Sequence, residues 1–565
     1  MKLVIREYLS MLKESGELDV FLPDLLLSMG IQPISRAQTG VRQYGVDIAA
    51  VGVDPDDKDS IETLFLLTVK KGDFSRANWD SGKIQDLRPS LNEIKDVYRT
   101  RCIDEIHKHL PKKIIVCCNG DMKQDVEANW LGYKQDNTKA GEIEFDFWGA
   151  DKLALLIEEY LLDEYLFPEQ SRKHLRKTIA LVEQNEDGPS YFYDLIEESL
   201  FGINTSSSNA DKSRNKALAT LNLSLNIVFR WCEEADNLRP ALLCAERTIL
   251  RVWEWMKTNS LFEKKSVFQK FYQIFTTYLS IIASYANKLQ PHCFIKDGLF
   301  GYSDAEEIEY PLRTFEAIGI LGSYGIAIWN LISITTDEET KKEYEEHISA
   351  IAQMLDALII NNPSAYTPRY DSHAIDIVLG LITLTIGGYS ERAKYWVVKL
   401  SSCIERAYAI NRCFPIDSDS YDILIALSVG EAPSKQELTK GSILLPMLAD
   451  WFVILDLPDD YQEFQKHINK TFAHTNFQFW FPDEGTEEFL YSTNAGYKSG
   501  VGRSVKIYES LEEAKQQIIK LRTENLENFK QITCIKNGWF SLAAIASRHF
   551  RTPVIPLLWH QLVSE

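Results

Sequence analysis

Along the first 165 residues, apolar runs of strand length alternate with segments of helical spacing. Leu18 to Gly30 predicts a short helix closed by glycine, in which Pro23 is tolerable only near the first turn. Ile31–Ser35 then predicts a strand. Two apolar runs follow, Gly45-Val46-Asp47-Ile48-Ala49-Ala50 and Leu64 to Lys70, separated by an acidic, proline-bearing stretch of turn composition at 54–60. That pair predicts a β-hairpin. Ser90–Tyr98 sets Leu91, Ile94, Val97 and Tyr98 on one helical face. Lys112–Gly120 has the composition of a buried strand ending in a turn, and Ile143–Gly149 that of a strand leading into an apolar helix, Leu153–Leu162. Strands interleaved with helices predict a mixed α/β layer.

Beyond this region the pattern changes. Asn204 to Ser213 has linker composition, and after it long, aromatic-rich helical stretches predominate, which suits a solenoid-like stack of helical pairs. No fixed-period repeat is present. Three apolar runs, Ala317–Ser333, Ala374–Gly388 and Ile443–Leu455, are interrupted or shorter than the roughly 20 residues a membrane span needs, so buried helices and no membrane are expected. The tail turns mixed, with Phe477–Pro482 and Val505–Tyr508 predicting strands. The domains expected are 1–168 (α/β), a connector and linker at 169–213, an α-helical domain at 214–470, and a mixed segment at 471–565 packed on it.

The hairpin carries the candidate chemistry. Thr68 and Lys70 share one face of the second strand because side chains alternate with period two. Asp47 and Lys70 put charges into strands that are otherwise apolar, where an uncompensated charge is costly. Each other, or a divalent metal, would compensate them.

Asp19 stands eleven positions before Gly30, Gly45-Val46-Asp47 follows, then Thr68-Val69-Lys70, a helix and a further strand. In this order the residues resemble the PD-(D/E)XK nucleases, and among them the Mrr-like catalytic domain of type IV restriction enzymes, over roughly the first 165 residues. The resemblance implies a restriction-endonuclease-like fold and Mg²⁺- or Mn²⁺-dependent hydrolysis of DNA, with RNA as an alternative substrate. It also implies roles: Asp47 and the Val69 carbonyl as metal ligands, Asp19 assisting them, and Lys70 orienting the attacking water and stabilising charge at phosphorus. Thr68 departs from the family, which has Glu or Gln there, and a hydroxyl is a poorer ligand for a hard cation than a carboxylate. The reading is therefore a prokaryotic antiphage or restriction effector whose helical region senses, oligomerises or docks a partner protein. The alternative is a catalytically inactive nuclease-fold adaptor or nucleic-acid-binding scaffold in a multi-protein defence complex. Just past the site, Lys71 and Arg76 offer cations to phosphates and Trp79 a face for a base, or else Trp79 packs into the core.

Charge argues against any broad attraction for nucleic acid. The 565-residue chain has a formal net charge of −20, whereas phosphate neutralisation normally dominates such binding. A local ridge would have to serve: Lys70, Lys71, Arg76, Lys83, Arg88, Lys95 and Arg99. Nine cysteines without a Cys-x-x-Cys favour a reducing cytoplasm and no zinc site. The N-terminus meets charge within its first turns and lacks a signal-peptide core, so a cytoplasmic location is expected.

Overall fold

Thr63 to Val69 is buried without interruption within strand β3, Glu62–Lys70, as happens when both faces of a strand are covered. In the computed structural model, which describes residues 5–6, 9, 18–35, 44–55, 61–83, 86–161, 169–181, 189–202, 210–302, 307–492 and 500–563, β3 is the centre of a five-stranded sheet. Strand β2, Ile48–Val53, lies antiparallel to it with Ile48 opposite Leu67, the hairpin that the pattern predicts. Part of the expected turn, 56–60, lies outside the described residues. Strand β1, Gln32–Ser35, pairs antiparallel with β2. On the other side β4, Lys112–Cys118, and β5, Ile143–Trp148, run parallel to β3.

Parallel neighbours require crossovers, and these hold the helices. Helix α1, Asp19–Ser28, precedes β1 and carries Pro23 in its interior rather than its first turn. Between β3 and β4 come α2, Arg76–Trp79, and α3, Leu87–Glu93, which widens into a π-helical turn at Ile94–Tyr98. Between β4 and β5 stands α4, Gln124–Asn137, a helix the apolar pattern does not announce. Both crossovers pack on one face, where Leu64 and Leu66, Ile114 and Val116, and Phe145 meet Leu91, Ile94, Val126 and Trp130. Burying each such side chain contributes about 1.5–3 kcal/mol. Helix α5, Ala150–Leu156, follows β5, three residues earlier than expected.

The chain divides at Asn237/Leu238 into two compact units. Helices Glu169–Ala180, Ser190–Phe201 and Ala210–Glu234 pack on one another within the first. The expected boundary at 213/214 therefore falls inside a continuous helix. Asp211 pairs with Arg214 at 2.9 Å, one turn on, so residues of linker composition form a polar helix start. Residues 203–209 lie outside the described residues.

The second unit, taken by itself, is mostly helical but is not a solenoid. Its late helix Ser541–Phe550 returns to its first, Arg239–Thr258: Arg548 Nε donates to Glu246 Oε1 at 3.0 Å across 302 residues. Repeat stacks touch only sequential neighbours, whereas here distant segments close one core. Trp539 packs its ring against Phe271 and Phe275 at 5.0 and 4.9 Å. A three-stranded sheet joins Gly441–Ser442, Asn476–Phe481 and Val501–Ser504. The last corrects the expected strand at 505–508. Helix Glu309–Ile334 is long and apolar enough to cross a membrane, yet 78% of its most apolar window is buried in the protein.

Candidate active site

Extending the β2–β3 register by one residue sets Asp47 opposite Thr68, and directly opposed residues project on the same face. Lys70 follows two positions on, on that face. The Asp47 backbone N–H donates to the Leu67 carbonyl at 2.8 Å, and the Val69 N–H donates to Asp47 Oδ2 at 2.7 Å. The carboxylate is thus fixed against the edge of β3, between Thr68 and Lys70. A strand residue points its N–H and C=O to the same side, so the Val69 carbonyl faces this edge too.

Two side chains beside Asp47, Thr68 and Lys70, make no described polar contact. Thr68 is 1% exposed, and its Oγ1 has no hydrogen-bond partner among the described residues. An unsatisfied buried hydroxyl costs about 1–3 kcal/mol. Lys70, half-buried at the strand end and opposite Cys118, has no ion pair or hydrogen bond from its ammonium among the described residues. The direct Asp47–Lys70 ion pair that would have made the two charges merely structural is not formed.

Two glycines shape the notch. Gly45 has φ +80°, and a Cβ there would lie 2.3 Å from the Ser90 carbonyl oxygen, so glycine lets α3 press on the turn that aims Asp47. Gly45→Ala is expected to destabilise the protein by about 2 kcal/mol or more. A melting temperature equal to wild type would refute that packing role. Gly120 approaches the loop after Lys70 so closely that a Cβ would sit 2.4 Å from the Gly72 carbonyl carbon. The same loop is tied down by Gly72 N–H donating to Asn119 Oδ1 at 2.7 Å and Asp121 N–H to Asp73 Oδ1 at 2.9 Å. Asp73 also pairs with Lys123 at 2.6 Å. The Asp121 amide and then the Lys123 ammonium hold its carboxyl below the usual range. The notch therefore lies at the laced C-terminal ends of β3 and β4, the end of an open α/β sheet where ligands bind. Asn119 is the residue sequence reasoning passed over, and its signal was the Asn-Gly dipeptide closing β4.

The other expected residues separate. Asp19 stands half-buried in the first turn of α1, which packs on β1 and β2. Lys71 and Arg76 are exposed beyond the site. Trp79 is 5% exposed and belongs to the core, edge-on to Phe74 at 6.4 Å and to Tyr133 at 5.6 Å. Its ring is occupied by those neighbours and is not offered to a base, which corrects its assignment to nucleic-acid contact. The cationic ridge is also partly engaged: Arg88 is neutralised by Asp80 at 3.0 Å, and Lys95 donates to the Asn137 side-chain oxygen while keeping its charge.

No three His, Cys, Asp or Glu side chains gather as a metal-binding group among the described residues. The donor set at the notch is instead one carboxylate, one hydroxyl without a partner and one carbonyl. All are hard oxygens, which suit a cation such as Mg²⁺ held weakly. Comparison with protein-family models, curated proteins and solved structures finds no match to this chain.

Proposed function

We propose that the first unit is a restriction-endonuclease-like nuclease domain hydrolysing DNA phosphodiesters with Mg²⁺ or Mn²⁺, and that the second, helical unit senses a signal or docks a partner or second copy, as in a prokaryotic antiphage or restriction effector. The observation that carries this reading is the Asp47 carboxylate held by the Val69 N–H beside a lysine whose ammonium is not engaged by any described residue. Phosphodiester hydrolysis needs positive charge at the phosphate and a positioned water. Asp47, the Thr68 hydroxyl and the Val69 carbonyl would hold the metal, with Asp19 assisting. Bound there, it would neutralise charge on the phosphate oxygens.

The chain's own residues do the rest. Lys70 would present ammonium donors at the strand end, where they draw in a phosphate oxygen and orient the water. Burial of Thr68 and Val69 keeps bulk water from the inner side of the notch, and low polarity strengthens each electrostatic contact. Lys71 and Arg76 would contact the backbone of the nucleic acid without reading sequence. RNA fits the same phosphate chemistry. The test is Mg²⁺-dependent cleavage of plasmid and single-stranded DNA by the full chain, compared with its Asp47 and Lys70 variants.

Thr68 favours a second reading, a nuclease fold kept as a non-catalytic adaptor. Thr68→Glu separates the two. On the nuclease reading it supplies a charged ligand and raises Mg²⁺ affinity at least about tenfold, with a gain in cleavage. Absence of metal binding by calorimetry in both forms would favour the adaptor.

A further inference from the structure

Arginine is seldom buried without a partner, so a cavity lined by several arginines raises the question of what they face. In the second unit a cavity of about 360 Å³ is lined by Arg239, Arg548, Arg551, His373, His549 and Tyr370, with Leu243 and Leu312 as apolar surface. Each guanidinium is oriented by one carboxylate yet keeps donors to give. Arg239 donates through Nε to Glu316 at 2.6 Å, and its terminal nitrogens have no partner among the described residues. Arg548 uses Nε and Nη2 on Glu246, a fully buried residue that does not line the cavity, leaving Nη1 without a described partner. Arg551 forks onto both oxygens of Asp376 at 2.9 Å and gives Nη2 also to the Ser372 carbonyl at 3.2 Å, leaving Nε without a described partner. The Tyr370 hydroxyl is likewise without a described partner.

The acids at the cavity are, by contrast, each engaged through at least one oxygen, with Asp419 Oδ2 left without a described partner. Glu316 takes Arg239 and, at 3.4 Å, Arg313; Asp376 takes Arg551 on both oxygens; Asp419 accepts the Ser372 hydroxyl at 2.5 Å. The lining thus has N–H and O–H donors left over and few acceptors, and suits a ligand rich in acceptors. The arginines come from separate helix ends, Arg239 opening one helix and Arg548 and Arg551 closing another. A planar carboxylate engages one fork, whereas a tetrahedral phosphate accepts donors from several directions. Burial holds His373 and His549 below the ordinary imidazole range, and the Nδ1 of each is engaged, by the Arg369 N–H at 3.2 Å and by Glu246 at 3.1 Å. His373 already stacks on Phe315 at 4.5 Å. The volume is within the range of small-molecule sites.

We propose that this cavity binds a small phosphate monoester of nucleotide size, its phosphate on the arginines and its organic part against Leu243, Leu312 and Tyr370. The inference does not depend on the nuclease reading. Calorimetry on the full chain with AMP, inorganic phosphate and adenosine tests it. AMP is expected to bind more tightly than inorganic phosphate, and adenosine not at all. Arg239→Lys keeps the charge but loses the fork, and should weaken AMP at least about tenfold. Leu312→Trp fills the cavity rim without touching an ion pair and should abolish binding, which keeps the test decisive if Arg239→Lys does not fold. Failure of AMP to bind at about 10 mM, AMP no tighter than inorganic phosphate, adenosine binding as tightly as AMP, or unchanged AMP binding in Leu312→Trp would each overturn the proposal.

Discussion

Asp47→Asn is expected to abolish Mg²⁺-dependent DNA cleavage, by about 10²–10³-fold or more, while the melting temperature stays within about 2 °C of wild type. The reason lies in what the substitution keeps. An asparagine side-chain oxygen still accepts the Val69 N–H that Asp47 Oδ2 takes at 2.7 Å, so that tie at the strand edge survives the loss of the charge. Asp47→Ala removes both, and should add a loss of about 1–3 kcal/mol as the Val69 amide loses its acceptor. Lys70→Ala should match the asparagine variant in activity at little cost in stability, because no described partner depends on its ammonium. Cleavage that persists in Asp47→Asn would take Asp47 out of the site.

In the second unit Glu246→Ala should cost about 3–5 kcal/mol, read as a lower midpoint in urea denaturation. Glu246 is 0% exposed and accepts from Arg548 and, at 3.1 Å, from His549 Nδ1. Removing it leaves a buried guanidinium without the carboxylate it is hydrogen-bonded to. Burial pushes the Glu246 carboxyl up, but Arg548 and His549 outweigh it and hold the group below its ordinary 4.5. A depressed carboxylate stabilises above its unfolded pKa and loses that contribution as pH falls through the folded one. The gap between wild type and Glu246→Ala should therefore be full at neutral pH and narrow on acidification below about 4.5. An unchanged urea midpoint at pH 7 would show that the Arg548 charge is satisfied elsewhere.

Both predictions rest on contacts of different legibility. Strands β2 to β5 were readable because their apolar runs are bounded by turn residues, a signal each segment carries alone. Helix α4 was not, because only Val126 and Trp130 of its residues are buried and its one other large aliphatic, Leu131, is exposed, so no apolar stripe stands out. The last strand, Val501–Ser504, is exposed throughout and held by pairing with Asn476–Phe481 rather than by an apolar face, so it leaves no alternation to read. Trp79 could not be placed from its neighbours in sequence, since the rings that enclose it, Phe74 and Tyr133, come from both sides of β4. Long buried helices read alike whether they stack in a row or close on themselves, which is why the return of Ser541–Phe550 to Arg239–Thr258 had no signature.

By itself, the sequence determined the hairpin, its parity and the residues it would bring near one another: alternation with period two is local, so Thr68 and Lys70 had to share a face. Tertiary structure alone decided that Asp47 meets the backbone of Val69 rather than the ammonium of Lys70, and that the Thr68 hydroxyl is sealed beside it without a described partner. It also decided that three arginines from opposite ends of the second unit's sequence line one cavity. Those outcomes depend on strand register, on Gly45 admitting α3, and on contacts between residues up to about 300 positions apart. No local pattern encodes them, because each residue's partner is chosen by the packing of the whole unit.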